Sequence, residues 1–434
     1  MNLRVLPCRG LTGTCKVPGD KSISHRAAII GALAEGITEI DNYLFGADCL
    51  STLRCLESLG VQVARIENRV RVKGCGLKGL KEPEDILDAG NSGTTMRLLL
   101  GALSGQDFFA VLTGDRSLRG RPMGRVVKPL VMMGAEIHGR AGDTRAPLAV
   151  KGCSSLKPIT YNLPVASAQV KSAILLAGLN APGTTCVIQP QESRDHTERM
   201  LKSFGALIEV DGLAVRLQGG QPLQGRRIRV PGDISAAAFV IVAASILPDC
   251  EVVIEDVGIN PTRIGILEVM ERMGAQIEVT NRRDWNGEPV ADLRIRSHGL
   301  CGTIIEGALL PRVIDEIPVL AVAAAAAAGK TEIRNAEELR FKETDRLQAI
   351  ACELGKMGAC LEERSDGLVI EGKGALKGAR VHSWGDHRIA MALAVAGLFA
   401  EGETKIEDCG CVDVSFPGFA ALFRSLGAVI DTES

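Results

Sequence analysis

Five short segments bring together cations, carboxylates and small residues in patterns suited to holding and protonating an anion. Lys21-Ser22-Ile23-Ser24-His25-Arg26 places Lys21, Ser22 and Arg26 in the first two turns of a predicted helix. A cation gains nothing from the helix dipole there, so it implies a compensating ligand; the plainer reading is a solvated helix start. Leu112 to Arg125 carries Arg116, Arg119, Arg121 and Arg125 in one glycine-punctuated loop. Guanidinium forks match carboxylate and phosphate oxygens, although no more than two of the four need touch a ligand. The segment from Arg340 to Arg346 contains Lys342 and Glu343, and Asp315-Glu316 leads into an alanine-rich helix. A carboxylate against an apolar wall has its pKa raised, and one among cations stays ionised, so a pair differentiated in this way does acid and base work. For Glu343 the plainer reading is an ion pair with Arg346 on a helix surface. His387-Arg388, after Gly385-Asp386, is another cation pair at a helix start.

These segments belong to a repeated pattern. An apolar residue, a glycine and usually an alanine, then a strand-like alternation, recur around Gly60, Gly134, Gly205, Gly274, Gly358 and Gly427, at spacings of 74, 71, 69, 84 and 69. Each glycine suits the left-handed position that closes a helix. Some 40 residues before each of them comes a polar start followed by a long apolar helix: Asp20-Lys21-Ser22, Gly90 to Thr94, Ser167-Ala168-Gln169, Gly232 to Ser235, Asp315-Glu316 and Gly385-Asp386-His387. Asp, Ser, Asn and Gly cap helix N-termini. Val17-Pro18-Gly19-Asp20 and Val230-Pro231-Gly232-Asp233 lie 213 residues apart and divide the six units into three plus three. The expectation is an α/β protein of two domains, residues 21–233 and residues 1–20 with 234–434, with crossovers near 18–21 and 231–234. If equivalent helices point alike, up to six N-termini converge on the cleft between domains, each offering free N–H groups to an anion.

A chain of 434 residues exceeds one hydrophobic core and implies two domains. A formal charge of −2 gives no general basic field for nucleic acid or an anionic membrane, so anion binding must be local. Aromatic residues at 3% leave little for base-stacking platforms. The thirteen cysteines are scattered, and only Cys409 and Cys411 approach each other, which reads as buried thiols in a reducing cytosol. The first ten residues lack a signal-peptide core. The run Ile317 to Ala328, at 12 residues, falls short of the ~20 needed to span a bilayer and reads as a tightly buried helix. No nucleotide loop, His-Glu-x-x-His, Gly-x-Ser-x-Gly or dinucleotide fingerprint is present, and six dispersed histidines give a metal site no support.

Together, Lys21-Ser22-x-Ser24-His25-Arg26, Gly90 to Arg97, Leu112 to Pro122, Lys342 to Arg346 and Asp386-His387-Arg388 closely resemble the signatures of the 5-enolpyruvylshikimate-3-phosphate synthases, from about residue 17 to the C-terminus. The resemblance implies an inverted α/β barrel-like fold, two domains of three βαβαββ repeats each, with the active site in the inter-domain cleft. It also implies transfer of the enolpyruvyl group of phosphoenolpyruvate to the 5-hydroxyl of shikimate 3-phosphate, with release of phosphate and no cofactor. About six negative charges would then meet in the site. By resemblance Lys21, Ser22, Arg26, Ser167, Ala168, Gln169, Arg194, Asp315 and Lys342 hold shikimate 3-phosphate. Lys21, Asn91, Gly93, Arg121, Gln169, Arg346, His387 and Arg388 hold phosphoenolpyruvate. Gly93 leaves room for the ligand, and room also for glyphosate, which predicts sensitivity to it. Asp315 and Glu343 form the acid/base pair, while Lys21 and Lys342 stabilise developing charge.

Val414 stands before Ser415-Phe416-Pro417 where many relatives have lysine, which weakens one expected phosphate contact. Two other readings share the architecture. The UDP-N-acetylglucosamine enolpyruvyl transferases usually carry a cysteine in the loop matching residues 112–125, and none occurs here. RNA-terminal phosphate cyclases need ATP and a nucleophilic histidine, and the charge and aromatic content argue against them. The partners expected are therefore two small-molecule substrates, without nucleic acid or membrane, for a cytoplasmic monomer.

Overall fold

The computed structural model describes residues 1–433. Contacts divide it into two compact units, one of Gly19–Val230 with Asp284–Glu288, the other of Met1–Pro18, Pro231–Arg283 and Pro289–Ser434. Each has its own apolar core.

The first unit holds three four-stranded sheets of one topology. In each, the first two strands are parallel and the other pairs antiparallel: Arg227–Arg229 beside Glu35–Asp41, Leu87–Asp88 beside Phe109–Thr113, and Thr160–Asn162 beside Thr184–Ile188. Its helices that bear or directly follow candidate residues are α1 (Lys21–Leu33), α2 (Gly93–Ser104), α3 (Ala168–Gly178) and α4 (His196–Ser203). Helices α1, α2 and α3 are buried on almost every side after the first turn, which explains sequences that are apolar all round rather than on one stripe. Gly101 lets α2 approach α3 closely: a Cβ there would lie 2.3 Å from the Ala173 carbonyl oxygen.

The second unit repeats the pattern with three more sheets. Its corresponding helices are α5 (Ile234–Ile246), α6 (Ile317–Ala326), α7 (Arg346–Lys356) and α8 (His387–Phe399). All six closing glycines have positive φ, from +81° at Gly60 to +113° at Gly134, where a side chain is disfavoured. Each is followed by a strand of its sheet. Five of the six polar starts cap their helix through a side chain: Asp20, Ser92, Ser167, Asp233 and Asp386 accept a backbone N–H of the first turn. Glu316 does not; its carboxylate goes elsewhere.

Three expectations need correction. The alanine helix stops at Ala326 and the chain turns extended at Ala327. The arginine-bearing loop is partly helical, because Asp115 caps a short helix over Arg116–Gly120. The thirteen cysteines are all free, but Cys75, Cys301, Cys352 and Cys360 are exposed rather than buried, on strand edges, turns and an outward helix face. Among the described residues no helix is long and apolar enough to cross a membrane.

Candidate active site

In the first unit the starts of α1, α2 and α3 meet through their side chains. Gln169, at the second position of α3, donates from Nε2 to Thr94 Oγ1 of α2 at 2.9 Å and accepts on Oε1 from Arg97 Nη1 at 2.6 Å. Arg97 also donates to the Pro122 carbonyl at 3.3 Å. Asn91 accepts from Arg121 Nη2 on its side-chain oxygen at 2.7 Å, and its amide donates to Asp115 at 2.7 Å. Arg121 is thus aimed at the start of α2, whereas Arg116, Arg119 and Arg125 are exposed. Lys21 Nζ donates to Asp48 Oδ2 at 3.2 Å, both largely shielded.

Arg26 is buried behind these groups. Its Nε donates to Thr197 Oγ1 at 2.7 Å, its Nη2 to Ser172 Oγ at 2.9 Å and its Nη1 to the Ser22 carbonyl at 3.0 Å. Burial lowers its pKa to about 10, against the attraction of Glu198 and Asp20, and the charge of Arg194 lowers it further. It stays protonated at neutral pH. Ser167 caps α3 with its hydroxyl, Val170 N–H donating at 3.4 Å; Ala168, next to it, and Arg194, just before α4, are half-buried. Gly93 opens α2, and a Cβ there would come 2.7 Å from Arg97 Nη1 and 3.6 Å from Arg121 Nη1. A side chain at 93 would therefore displace the Arg97 guanidinium.

The second unit gathers the carboxylates. Arg346, 1% exposed, is shared among three of them: Asp386 at 2.8 Å from Nε, Glu343 at 2.7 Å from Nη2 and Asp315 at 3.4 Å from Nη1. Burial opposes its charge, but Asp386, Glu343 and Asp315 outweigh that and raise its pKa above the ordinary value. Lys342 Nζ stands 3.9 Å from Asp315 and 3.6 Å from Glu338. Arg388 donates from Nη1 to the Asp315 carbonyl at 2.9 Å, with Nη2 3.9 Å from the Asp315 carboxylate. Glu316 is buried, accepts a hydrogen bond from Ser235 Oγ and lies 3.6 Å from Arg388 Nη1. The starts of α5, α6 and α8 are so tied together. His387 is buried at the first position of α8, and Val414 ends a half-buried turn over Cys409–Val414.

Glu343 does pair with Arg346, but with a buried guanidinium and not on a helix surface, and Asp315 lies 3.4 Å from the same guanidinium. Three groups escaped the sequence reading. Asp48, the partner of Lys21, sits in a segment with no motif. Arg97 lay inside the glycine-rich segment, four residues after Gly93 on the same helix face, a spacing that should have flagged it. The sequence marks Glu316 only as a helix start. Among the described residues no three His, Cys, Asp or Glu side chains form a metal-binding group.

The family model of EPSP synthase (3-phosphoshikimate 1-carboxyvinyltransferase) matches residues 6–422. A 3-phosphoshikimate 1-carboxyvinyltransferase of Pelotomaculum thermopropionicum is 58% identical over 428 residues, covering 98% of this chain and 99% of the relative. One from Synechococcus elongatus is 55% identical over 421 residues, covering 96% and 94%. Among solved structures, EPSP synthase from Acinetobacter baumannii superposes with a TM-score of 0.91 at 45% identity, over 100% of both chains. With the sixfold repeat and the two clusters already in place, these matches show that the chain belongs to the EPSP synthase (3-phosphoshikimate 1-carboxyvinyltransferase) family.

Proposed function

We propose that the protein transfers the enolpyruvyl group of phosphoenolpyruvate to the 5-hydroxyl of shikimate 3-phosphate, and that both clusters act on this one pair of substrates. The observation that carries the chemistry is the placement of Asp315 and Glu343 on the single buried guanidinium of Arg346, beside Lys342 and Arg388. Two carboxylates held among cations can exchange protons with a substrate while each remains oriented.

In the addition step the 5-hydroxyl oxygen bonds to C2 of phosphoenolpyruvate, its proton passes to one carboxylate, and the methylene carbon takes a proton. In the elimination step the C2–O bond to phosphate breaks, the methyl group returns a proton, and the double bond re-forms. Asp315 and Glu343 divide the proton transfers between them. Lys21, Arg121, Arg346 and Arg388, with Asn91, Gly93, Gln169 and His387, hold phosphoenolpyruvate. Lys21, Ser22, Arg26, Ser167, Ala168, Gln169, Arg194, Asp315 and Lys342 hold shikimate 3-phosphate. Arg97 joins them, because it fixes the Gln169 side chain. The cations neutralise charge that develops on the departing phosphate, with Val414 adding none.

Single-turnover measurements on Asp315→Asn and Glu343→Gln test the pairing. Each should lower the single-turnover rate constant by about 10²-fold or more, and the double variant should be little worse than the poorer single, since the two act as a unit. A variant that keeps wild-type turnover removes that carboxylate from the chemistry.

A further inference from the structure

Lys171 and Glu198 form an ion pair in the core of the first unit, Nζ to Oε1 at 2.5 Å, with side chains 1% and 4% exposed. Taking two charges out of water costs several kcal/mol per ion, and apolar side chains of like volume serve stability as well or better. The pair is not even fully satisfied: Glu198 Oε2 is buried without a hydrogen-bond partner. Stability alone gives no reason for it.

Its neighbours supply one. Lys171 also donates to the Ser193 carbonyl at 3.3 Å, the peptide that leads into Arg194. The next residue on α3, Ser172, and the preceding residue on α4, Thr197, share a 2.6 Å hydrogen bond and both receive Arg26. Ser172 Oγ further contacts the Ala168 carbonyl at 2.6 Å. Three chain segments bearing Arg26, Ser167 to Gln169 and Arg194 are therefore fixed to one buried polar knot. Lys171, Ser172, Thr197 and Glu198 are all at most 4% exposed, and the contacts they make are to one another, to Arg26 and to the backbone carbonyls of Ala168 and Ser193.

We propose that Lys171 and Glu198, with Ser172 and Thr197, are positioning residues that set chiefly the shikimate 3-phosphate subsite, Gln169 being the one group they hold that also serves phosphoenolpyruvate. This rests on the functional reading above. The pair locks α3 to α4, holds the backbone before Arg194, and through Ser172 and Thr197 fixes the Arg26 fork. A guanidinium so held is preorganised for a planar or tetrahedral anion before the ligand arrives.

Two variants separate positioning from structure. Lys171→Met/Glu198→Leu replaces the pair by apolar side chains of like volume; Ser172→Ala leaves the pair and removes one contact to Arg26. Calorimetric binding of shikimate 3-phosphate, KM for both substrates and thermal midpoints are measured on both. The double variant should bind shikimate 3-phosphate at least about tenfold more weakly while KM for phosphoenolpyruvate changes by less than about twofold and the fold melts near its wild-type midpoint. Ser172→Ala should weaken the same substrate by about threefold. Parallel rises in both KM values, or unchanged shikimate 3-phosphate affinity in either variant, would overturn the positioning role; if the double variant does not fold, Ser172→Ala decides. Loss of the functional reading looks different, since the wild-type protein itself would then show no binding of shikimate 3-phosphate.

Discussion

Arg346 carries its charge through the interior on the strength of three carboxylates, and the arrangement is unforgiving. Truncation to Met would leave Asp386, 0% exposed, without its main counter-charge. Breaking a buried pair in this way costs about 3–5 kcal/mol, which urea unfolding should show as a lowered midpoint. A loss below about 1 kcal/mol would mean that Asp386 is paired adequately without it. His25 is a second buried polar group, its Nδ1 2.6 Å from Thr52 Oγ1. Burial, then the charges of Lys21 and Arg26, lower its pKa well below 6.5. The unfolded chain therefore binds a proton at His25 below pH 6.5 that the folded chain refuses. The group's contribution is present above that pH and is lost as pH falls, by up to about 1.4 kcal/mol per unit. His25→Gln should flatten the stability profile between about pH 6.5 and 5; an unchanged slope would contradict this. Candidate groups stand out in the sequence where several charges crowd one short segment, as around Lys21 or Lys342. Asp48 and Lys171, whose partners are brought up by the fold from 27 residues away in each case, do not.

Helix ends decide where the side chains go. Caps at Asp20, Ser92, Ser167, Asp233 and Asp386 and the six closing glycines could be read because they obey local rules. Sheet order could not: Arg227–Arg229 completes a sheet begun at Glu35, and Asn2–Val5 lies between Thr404–Glu407 and Ile430–Glu433. Such partners are selected by burial of shared cores, not by any signal in the strands themselves. Two glycine variants distinguish backbone strain from helix spacing. Gly205, at φ +94° with open space around its Cβ direction, should cost about 1–2 kcal/mol as alanine and leave KM values unchanged. Gly101→Ala should cost about 1–3 kcal/mol and also raise KM, since it pushes α2 from α3 and parts Arg97 from Gln169. Equal kinetic effects from the two would sever helix spacing from the site.

At the scale of the molecule, one chain carries both the cation-rich and the carboxylate-rich cluster, so we propose that a monomer is the working form. Specific activity should then hold constant on about 100-fold dilution at fixed substrate; a fall at low concentration would point to a subunit-shared site. The central claim concerns the acceptor and the carboxylate. Phosphate release is measured with phosphoenolpyruvate and either shikimate 3-phosphate or UDP-N-acetylglucosamine, for the wild-type protein and for Asp315→Ala. The account predicts release with shikimate 3-phosphate alone, largely abolished in Asp315→Ala; release only with the nucleotide sugar, or undiminished release in the variant, would contradict it.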